Sequence, residues 1–410
     1  MEKKKISAIM VADSISPQGH RITTFLLTYP RMVHSDFMSH RMFSRNTASS
    51  RAIPFEKMLK MVVEDPFIPI AFQKDHKGMQ GTEYLDPNKK ISWNEIFPII
   101  IEAIKRNFYN KETNELNPEW GDILVIFNST VTPLFIPMER HGGYTPIEWW
   151  LKVRDLVVSS ALLMSIMGVS KQLCNRLLEP FMWHTALLTA TEFDNFFELR
   201  CPKYLDPSGE SFKSKKDYRT SSKWSCWEGN EDDVTGWLEC DDSQAEIHIQ
   251  ALAEAMWDAM NESTPKELKA GEWHIPFGDK FDIQAFEANE GIEVPLEQIL
   301  SLKLKISTAR CARLSYMTFD GEVDYKKDIE LHDRLLESRH MSPFEHCAVA
   351  MSDTEYELFV KGRGKTYRSG EWETYDSDKP DYQLHFKPED KGWCNNFKGF
   401  IPYRYLIENK

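Results

Sequence analysis

The sequence predicts an α+β fold, and three stretches carry that expectation. "KISAIMVADS" and "HRITTFLLTYPR" read as two consecutive strands, the second a β-rich apolar run ending at Pro30. "TPIEWWLKVRDLVVSSALLMSIMG" reads as a long helix. Thr145 caps it, Pro146 takes the first helical position, Glu148 completes a capping box, and Gly168 ends it. "KKDIELHDRLLESRHMSPFEHCAVAM" joins an amphipathic helix, a turn at Pro343 and a strand. Strand runs and helix runs on one chain define the α+β class.

The other elements follow in order. "RMVHSDFMSHRMFSR" has a mixed helical period and runs into a Ser-rich loop, "SHRMFSRNTASSRAIP". "SKQLCNRLLEPFMWHTALLTATEFDNFFELR" supplies more helix, broken or bent near Pro180. Residues 201–242 are polar and rich in Gly, Pro and Ser, yet carry several Tyr and Trp, and read as an irregular excursion, a lid or an interface loop. "SQAEIHIQALAEAMWDAMNE" returns to helix, and an irregular stretch follows to about Glu297. The last compact unit, 301–351, is followed by an aromatic and charged tail, 352–410.

Composition narrows the functional classes. The chain has 410 residues, which by length alone corresponds to about two or three domain-sized units. At 41% hydrophobic and 12% aromatic it can bury a substantial core. A formal net charge of −13 argues against direct nucleic-acid binding, which needs a basic surface, but is compatible with a small phosphorylated ligand in a local arginine pocket. The N-terminus lacks an apolar signal-peptide core, and no run reaches the roughly 18 apolar residues of a membrane span, so a cytoplasmic protein is expected. Seven Cys without a CxxC pair read as free thiols; a zinc site from Cys201, Cys226 and Cys240 matches no common spacing.

Several constellations carry possible chemistry. The stretch from Ser39 to Pro54 packs Arg41, Arg45 and Arg51 among Ser44, Asn46, Thr47, Ser49 and Ser50. Arginine supplies charge-assisted, often bidentate donors for a phosphate, and hydroxyls with loop amides complete an anion nest. A solvated turn with surface arginines is the plain alternative. "HMSPFEH" sets His340, Ser342, Glu345 and His346 around a Pro-fixed turn, either as ligands or as groups that satisfy a helix end. "KGRGKTY" lacks the earlier glycine of a phosphate-binding loop, since Phe359 holds that place, which excludes a nucleotide-triphosphatase reading. Arg176 and Arg200 each project from Leu- or Phe-rich helices and need an anionic or polar partner.

Taken together these pieces resemble the flavin-dependent thymidylate synthases. His40, Arg41, Ser44, Asn46, Ser49 and Arg51 match in register that family's signature RHRxxSxNExSxR. His340 to His346 match its H-x-[ST]-P-F-E-H turn, and Ala312 to Tyr316 are similar to its A-R-x-S-F segment. Arg176 with Pro180 match R-x-x-x-P, Asn195 to Arg200 match N-F-x-x-L-R, and "SQAEI" looks like the A-Q-x-E-I helix start displaced by the 201–242 excursion. About half of the chain is touched. The order is unusual, because the P-F-E-H turn precedes the R-H-R element in typical members and follows it here, so a circular permutation with inserts is expected.

The resemblance implies an antiparallel or mixed sheet with a helical bundle. Residues 1–200 and 301–351 would form the two parts of a substrate- and flavin-binding core. The excursion at 201–242 would be an insertion, 243–300 a helix with its connecting region, and 352–410 an extension packed on the core. FAD would be met by His40, Arg41, Asn195, Ser315, His340, Ser342 and Glu345. The pyrimidine deoxynucleoside monophosphate would lie against Asn46 and Thr47. Its phosphate would be held by Ser49, Ser50, Arg51 and Arg176, and its ring reached by Arg200. Methylenetetrahydrofolate would donate the carbon, NADPH would supply reducing equivalents if net reduction occurs, and the assembly would be a homotetramer.

Departures from the family pattern bear on the substrate. Ser39 replaces the first Arg of R-H-R, Thr47 replaces the family Glu, and Asp36 stands where Gln is common. A cation suits the O4 carbonyl of uracil, whereas a carboxylate accepts from the N4 amine of cytosine. Ser39, Asp36, Arg41 and Arg200 are therefore the candidate catalytic residues. Three readings follow: methylation of dUMP to dTMP, hydroxymethylation of dCMP or dUMP, and a non-catalytic nucleotide-binding relative.

Overall fold

Phe25, Leu27 and Tyr29 alternate with Thr24, Leu26 and Thr28, which sends two sets of side chains to opposite faces of one strand. In the computed structural model, β1 (Ser7–Ile15) and β2 (Arg21–Pro30) pair antiparallel, with Ala8 opposite Leu27 and Met10 opposite Phe25. The structure describes residues 3–75, 81, 83–92, 94, 95, 98, 102, 113, 142–221, 234–278, 281–314, 324–357, 365–368, 371–374 and 396–408. By packing, the chain divides into two compact units: Met1–Phe67, Val169–Asn230 and Cys240–Lys410 form one, and Ile68–Gly168 with Glu231–Glu239 the other.

In the second unit the capping box predicted at Thr145 is present. The Thr145 hydroxyl accepts from the Glu148 amide at 3.2 Å, and the Glu148 carboxylate accepts from the Thr145 amide at 2.8 Å. The helix it starts runs Pro146–Ile166.

The first unit holds the sheet. The short helix α1 (His34–Met38) leads to β3 (Ser44–Thr47), and α2 is Phe55–Glu64. With the capped helix as α3, α4 is Lys171–Leu178, β4 is Trp183–Ala190 and α5 is Asp194–Arg200. A small hairpin of β5 (Tyr204–Leu205) and β6 (Ser211–Phe212) comes next. Helix Ile247–Glu262 then precedes β7 (Lys266–Glu267). The sheet order is β3-β4-β2-β1-β7, antiparallel except between β1 and β7.

Two sequence-level expectations are corrected here. Residues 183–190 were expected to continue a bent helix, but they form β4, inserted between β3 and β2. A strand covered on both faces shows no regular polar alternation, and "WHTALLTA", buried at nearly every position, is too short a run for its period to separate strand from helix. Likewise part of the Ser-rich loop, Ser44–Thr47, is a strand, because β4 offers it a free edge.

One face of the sheet packs Phe25, Leu27, Tyr29, Ala186 and Leu188 against Phe193, Phe196 and Phe197 around α5, and against Ile249, Leu252 and Met256 of helix 247–262. Each fully buried Phe or Leu in this cluster contributes about 2–3 kcal/mol. On the other face Leu187 meets Phe277, Cys311 and Leu314, at the end of helix Leu296–Arg313. A second sheet is β10-β9-β8, built from Trp273–His274 (β8), Ala348–Ala350 (β9) and Phe400–Pro402 (β10). No helix among the described residues is long and apolar enough to cross a membrane. Cys174, Cys201, Cys240, Cys311 and Cys347 are free thiols; Cys226 and Cys394 lie outside the described residues.

Candidate active site

Helix α1 is only five residues long, and Ser39 ends it. The Ser39 hydroxyl donates to the Asp36 carbonyl at 2.6 Å, and the Ser39 amide donates to the same oxygen at 3.2 Å. Serine competes with helix continuation in this way. Phe37 and Phe43 are buried on either side, so Ser39, His40, Arg41 and Met42 bulge outward as a turn.

Helix α5 supplies the facing wall. Its Phe196 and Phe197 point into the core, which leaves Asn195 and Leu199, one turn apart, on the outer side with Arg200 at the C-terminal end. The His40 ring meets Phe196 edge-on at 4.8 Å and lies over Phe43 at 5.8 Å. Arg200 Nε donates to His40 Nε2 at 3.3 Å. Arginine offers no lone pair, so Nε2 is the acceptor and the proton of the neutral ring sits on Nδ1. Burial, and then the Arg200 and Arg45 charges, lower the His40 pKa, which keeps the ring neutral at physiological pH.

Between the turn and α5 lies a cavity of about 580 Å³, lined by Ser39, His40, Arg41, Asn195 and Arg200, with Met42, Phe43, Phe196 and Leu199 as its apolar part. Glu192 and Lys398 complete the lining. Five predicted site residues thus converge from two separate stretches of chain. Three cations face one carboxylate, with Lys398 paired to Glu192, so the cavity favours an electron-rich ligand. Asp36, a candidate catalytic residue, is not among the residues that line this cavity; its backbone carbonyl accepts from Ser39.

The other predicted residues are placed elsewhere. Asn46 is buried and donates to the Cys311 carbonyl at 3.4 Å, and Thr47 pairs with Ala186 at the end of β3. Ser44 and Glu345 line a smaller cavity of about 320 Å³ with Asn396, Arg404 and Tyr405, in which Arg404 pairs with Glu345. His340 lines a third cavity, about 770 Å³, with Arg313, Lys327 and Arg334. Ser342 opens the short helical turn Ser342–Glu345. Ser315 lies outside the described residues.

The phosphate-loop residues form their own group. Arg51 and Arg176 are exposed, and the Ser49 carbonyl accepts from the Ala52 amide at 3.0 Å. The Ser50 hydroxyl donates to Glu179, which also pairs with Arg31. Asn175, wholly buried on α4, donates to the Ser50 carbonyl at 2.7 Å and the Ile53 carbonyl at 2.9 Å. Asn175 therefore ties the loop to the helix that carries Arg176. Asn175→Ala would leave two buried carbonyls unmet and is expected to cost about 2 kcal/mol, read as a lower urea midpoint.

Sequence reasoning missed Asn175, Glu179, Glu192 and Lys398. Asn175 and Glu179 are spaced one helical turn apart beside Arg176, a signal that could have flagged them. Lys398 sits in a tail without any matching motif, though "FKGF" brackets it with two anchoring aromatics.

Around His340 the cations are largely committed: Arg313 pairs with Asp328 at 2.7 Å and Lys327 with Asp324 at 2.9 Å, while Arg334 and Glu330 also line the cavity. The 580 Å³ cavity offers aromatic edges with Arg and Asn donors for a ring system. Among the described residues no group of three or more His, Cys, Asp or Glu could hold a metal ion.

No protein-family model matches the chain, and no curated protein matches it. Among solved structures it is similar to the UMP/dUMP methylase PolB from Streptomyces cacaoi bound with 5-Br UMP. The TM-score is 0.32 at 12% identity, over 63% of this chain and 90% of that one. The same methylase bound with 5-Br dUMP gives a TM-score of 0.33 at 11% identity, over 63% of this chain and 92% of that one.

Proposed function

We propose that this chain is a flavin-dependent transferase. It moves a one-carbon unit from methylenetetrahydrofolate to C5 of a pyrimidine deoxynucleoside monophosphate, with dUMP to dTMP as the reaction. The observation that carries the reading is the convergence of Ser39, His40, Arg41, Asn195 and Arg200 on one cavity. C5 becomes nucleophilic as enolate-like charge develops on the base, and Arg41 and Arg200 would stabilise that charge. His40 holds its proton at Nδ1 while Arg200 occupies Nε2, so the ring donates from one fixed side. Phe43 and Phe196 exclude water from one wall.

His40, Arg41 and Asn195 would hold FAD on this side, and His340, Ser342 and Glu345 on the other. The distribution of those residues over separate cavities accords with a homotetramer whose sites are shared. FAD supplies the redox equivalents when bound, and NADPH is the proposed reductant.

Hydroxymethylation of dCMP is the second reading, favoured by Ser39 in the cavity where a cation was expected. The test combines an absorption spectrum of the purified protein with product mass after incubation with dUMP or dCMP, methylenetetrahydrofolate and FAD, with and without NADPH. A flavin spectrum and NADPH-dependent dTMP are expected. A hydroxymethyl product would select the second reading. A colourless protein that binds no FAD and converts neither base would sink both.

A further inference from the structure

We propose that Lys398, carried by the C-terminal segment, supplies the cation absent at Ser39 and makes the cavity select a uracil ring over a cytosine ring. The inference rests on the pyrimidine-nucleotide reading above and extends it to base specificity.

Lys398 is held in place by its surroundings. Phe397 and Phe400 on either side are fully buried, in a cluster with Ile22, Leu268, Ala348 and Ala350. The Lys398 amide donates to the Thr191 hydroxyl at 3.0 Å, and the Gly399 carbonyl accepts from the Met351 amide at 3.0 Å. Gly399 has φ +71°, and a Cβ there would come within 2.6 Å of the Ser16 hydroxyl, so this position requires glycine. From Phe400 the chain continues as β10, paired antiparallel with β9. Asn396 reaches the Arg41 carbonyl at 3.5 Å, which links the same segment to the opposite wall of the cavity. The ammonium pairs with Glu192, also in the lining.

The chemistry follows from this placement. Lysine has three donors and no acceptor. Uracil presents O4 as an acceptor, whereas cytosine presents an N4 amine at the same place, which a cation repels. Glu192 alone would accept from that amine; with Lys398 beside it, its charge is offset and the local field is that of a donor. The Ser39 hydroxyl is committed to the Asp36 carbonyl and does not restore the lost charge.

The experiment measures dUMP and dCMP binding by calorimetry to the full chain reconstituted with FAD. It compares wild type, Lys398→Met and Lys398→Arg. Wild type is expected to prefer dUMP by about tenfold, the scale of one charged hydrogen bond. Lys398→Met should abolish or reverse that preference, because Glu192 is then left to favour the amine, and Lys398→Arg should retain it. Thermal melting of each variant checks that the fold is intact. An unchanged ratio in Lys398→Met, or equal binding of the two nucleotides by wild type, overturns the proposal alone. Wild type that binds neither nucleotide overturns the pyrimidine reading and this proposal with it.

Discussion

Arg200→Ala is expected to lower dUMP turnover by about 100- to 1000-fold, the usual cost of deleting one preorganised donor from a charge-stabilising site. Arg200 has two effects. Its guanidinium borders the cavity, and its Nε fixes His40 by donating to Nε2 at 3.3 Å. Arg200→Lys is expected to recover little, because a single ammonium cannot hold His40 and reach the ring at once. A readout independent of turnover is the titration of His40 by NMR. Burial is the main cause of its lowered pKa, with the Arg200 charge next. In Arg200→Ala the His40 pKa should therefore rise toward its ordinary value. Turnover within threefold of wild type, or an unmoved His40 titration, would remove Arg200 from this role.

A second large effect concerns acid. Two buried histidines by themselves are expected to take about 3 kcal/mol of stability from the chain by pH 5.5, a large part of the 5–15 kcal/mol typical of a folded domain. The cause is a buried relay across the sheet. Ser14 bonds His274 at 3.0 Å, His274 bonds Thr24 at 2.8 Å, Thr24 bonds Thr189 at 2.7 Å, and Thr189 bonds His346 at 2.8 Å. Burial holds the pKa of both His274 and His346 down to about 3. Above pH 6.5 each ring is neutral whether the chain is folded or not. Below it the unfolded chain takes up protons that the folded chain refuses, and each unit of pH costs about 1.4 kcal/mol per histidine.

The loss therefore begins near 6.5 and continues toward 3. His34, lowered to about 4 by burial and then by Arg31 and Arg45, adds in the same direction. Asp241, Glu254 and Asp258, whose pKa values burial raises, act in the opposite sense nearer the carboxylate range. The comparison is therefore best made between pH 7.5 and 5.5. Urea midpoints should fall across that window, and His346→Gln should flatten the fall. A midpoint independent of pH there would contradict the argument.

How much of this was legible in the residues varies by element. The Thr145 capping box and the first two strands were, because each is specified by neighbours in sequence. His40 and Arg41, and Asn195 with Arg200, were singled out through two motifs of the resemblance, and the two stretches meet at one cavity. Strand β4 was not, since eight largely buried residues without a clear period record that the run is buried, not how. Lys398 was not, because its role comes from a fold that returns the tail to Thr191 and Arg41.

The sequence by itself determined the α+β class and the helix start at Thr145. Those depend on hydrogen-bonding groups and periodicities a few residues apart. Only the tertiary structure decided that residues 183–190 are a central strand, that the Ser50 hydroxyl is taken by Glu179, and that Lys398 joins the cavity. Each of those depends on which distant surface closes over the segment, a long-range choice that no local pattern of side chains encodes.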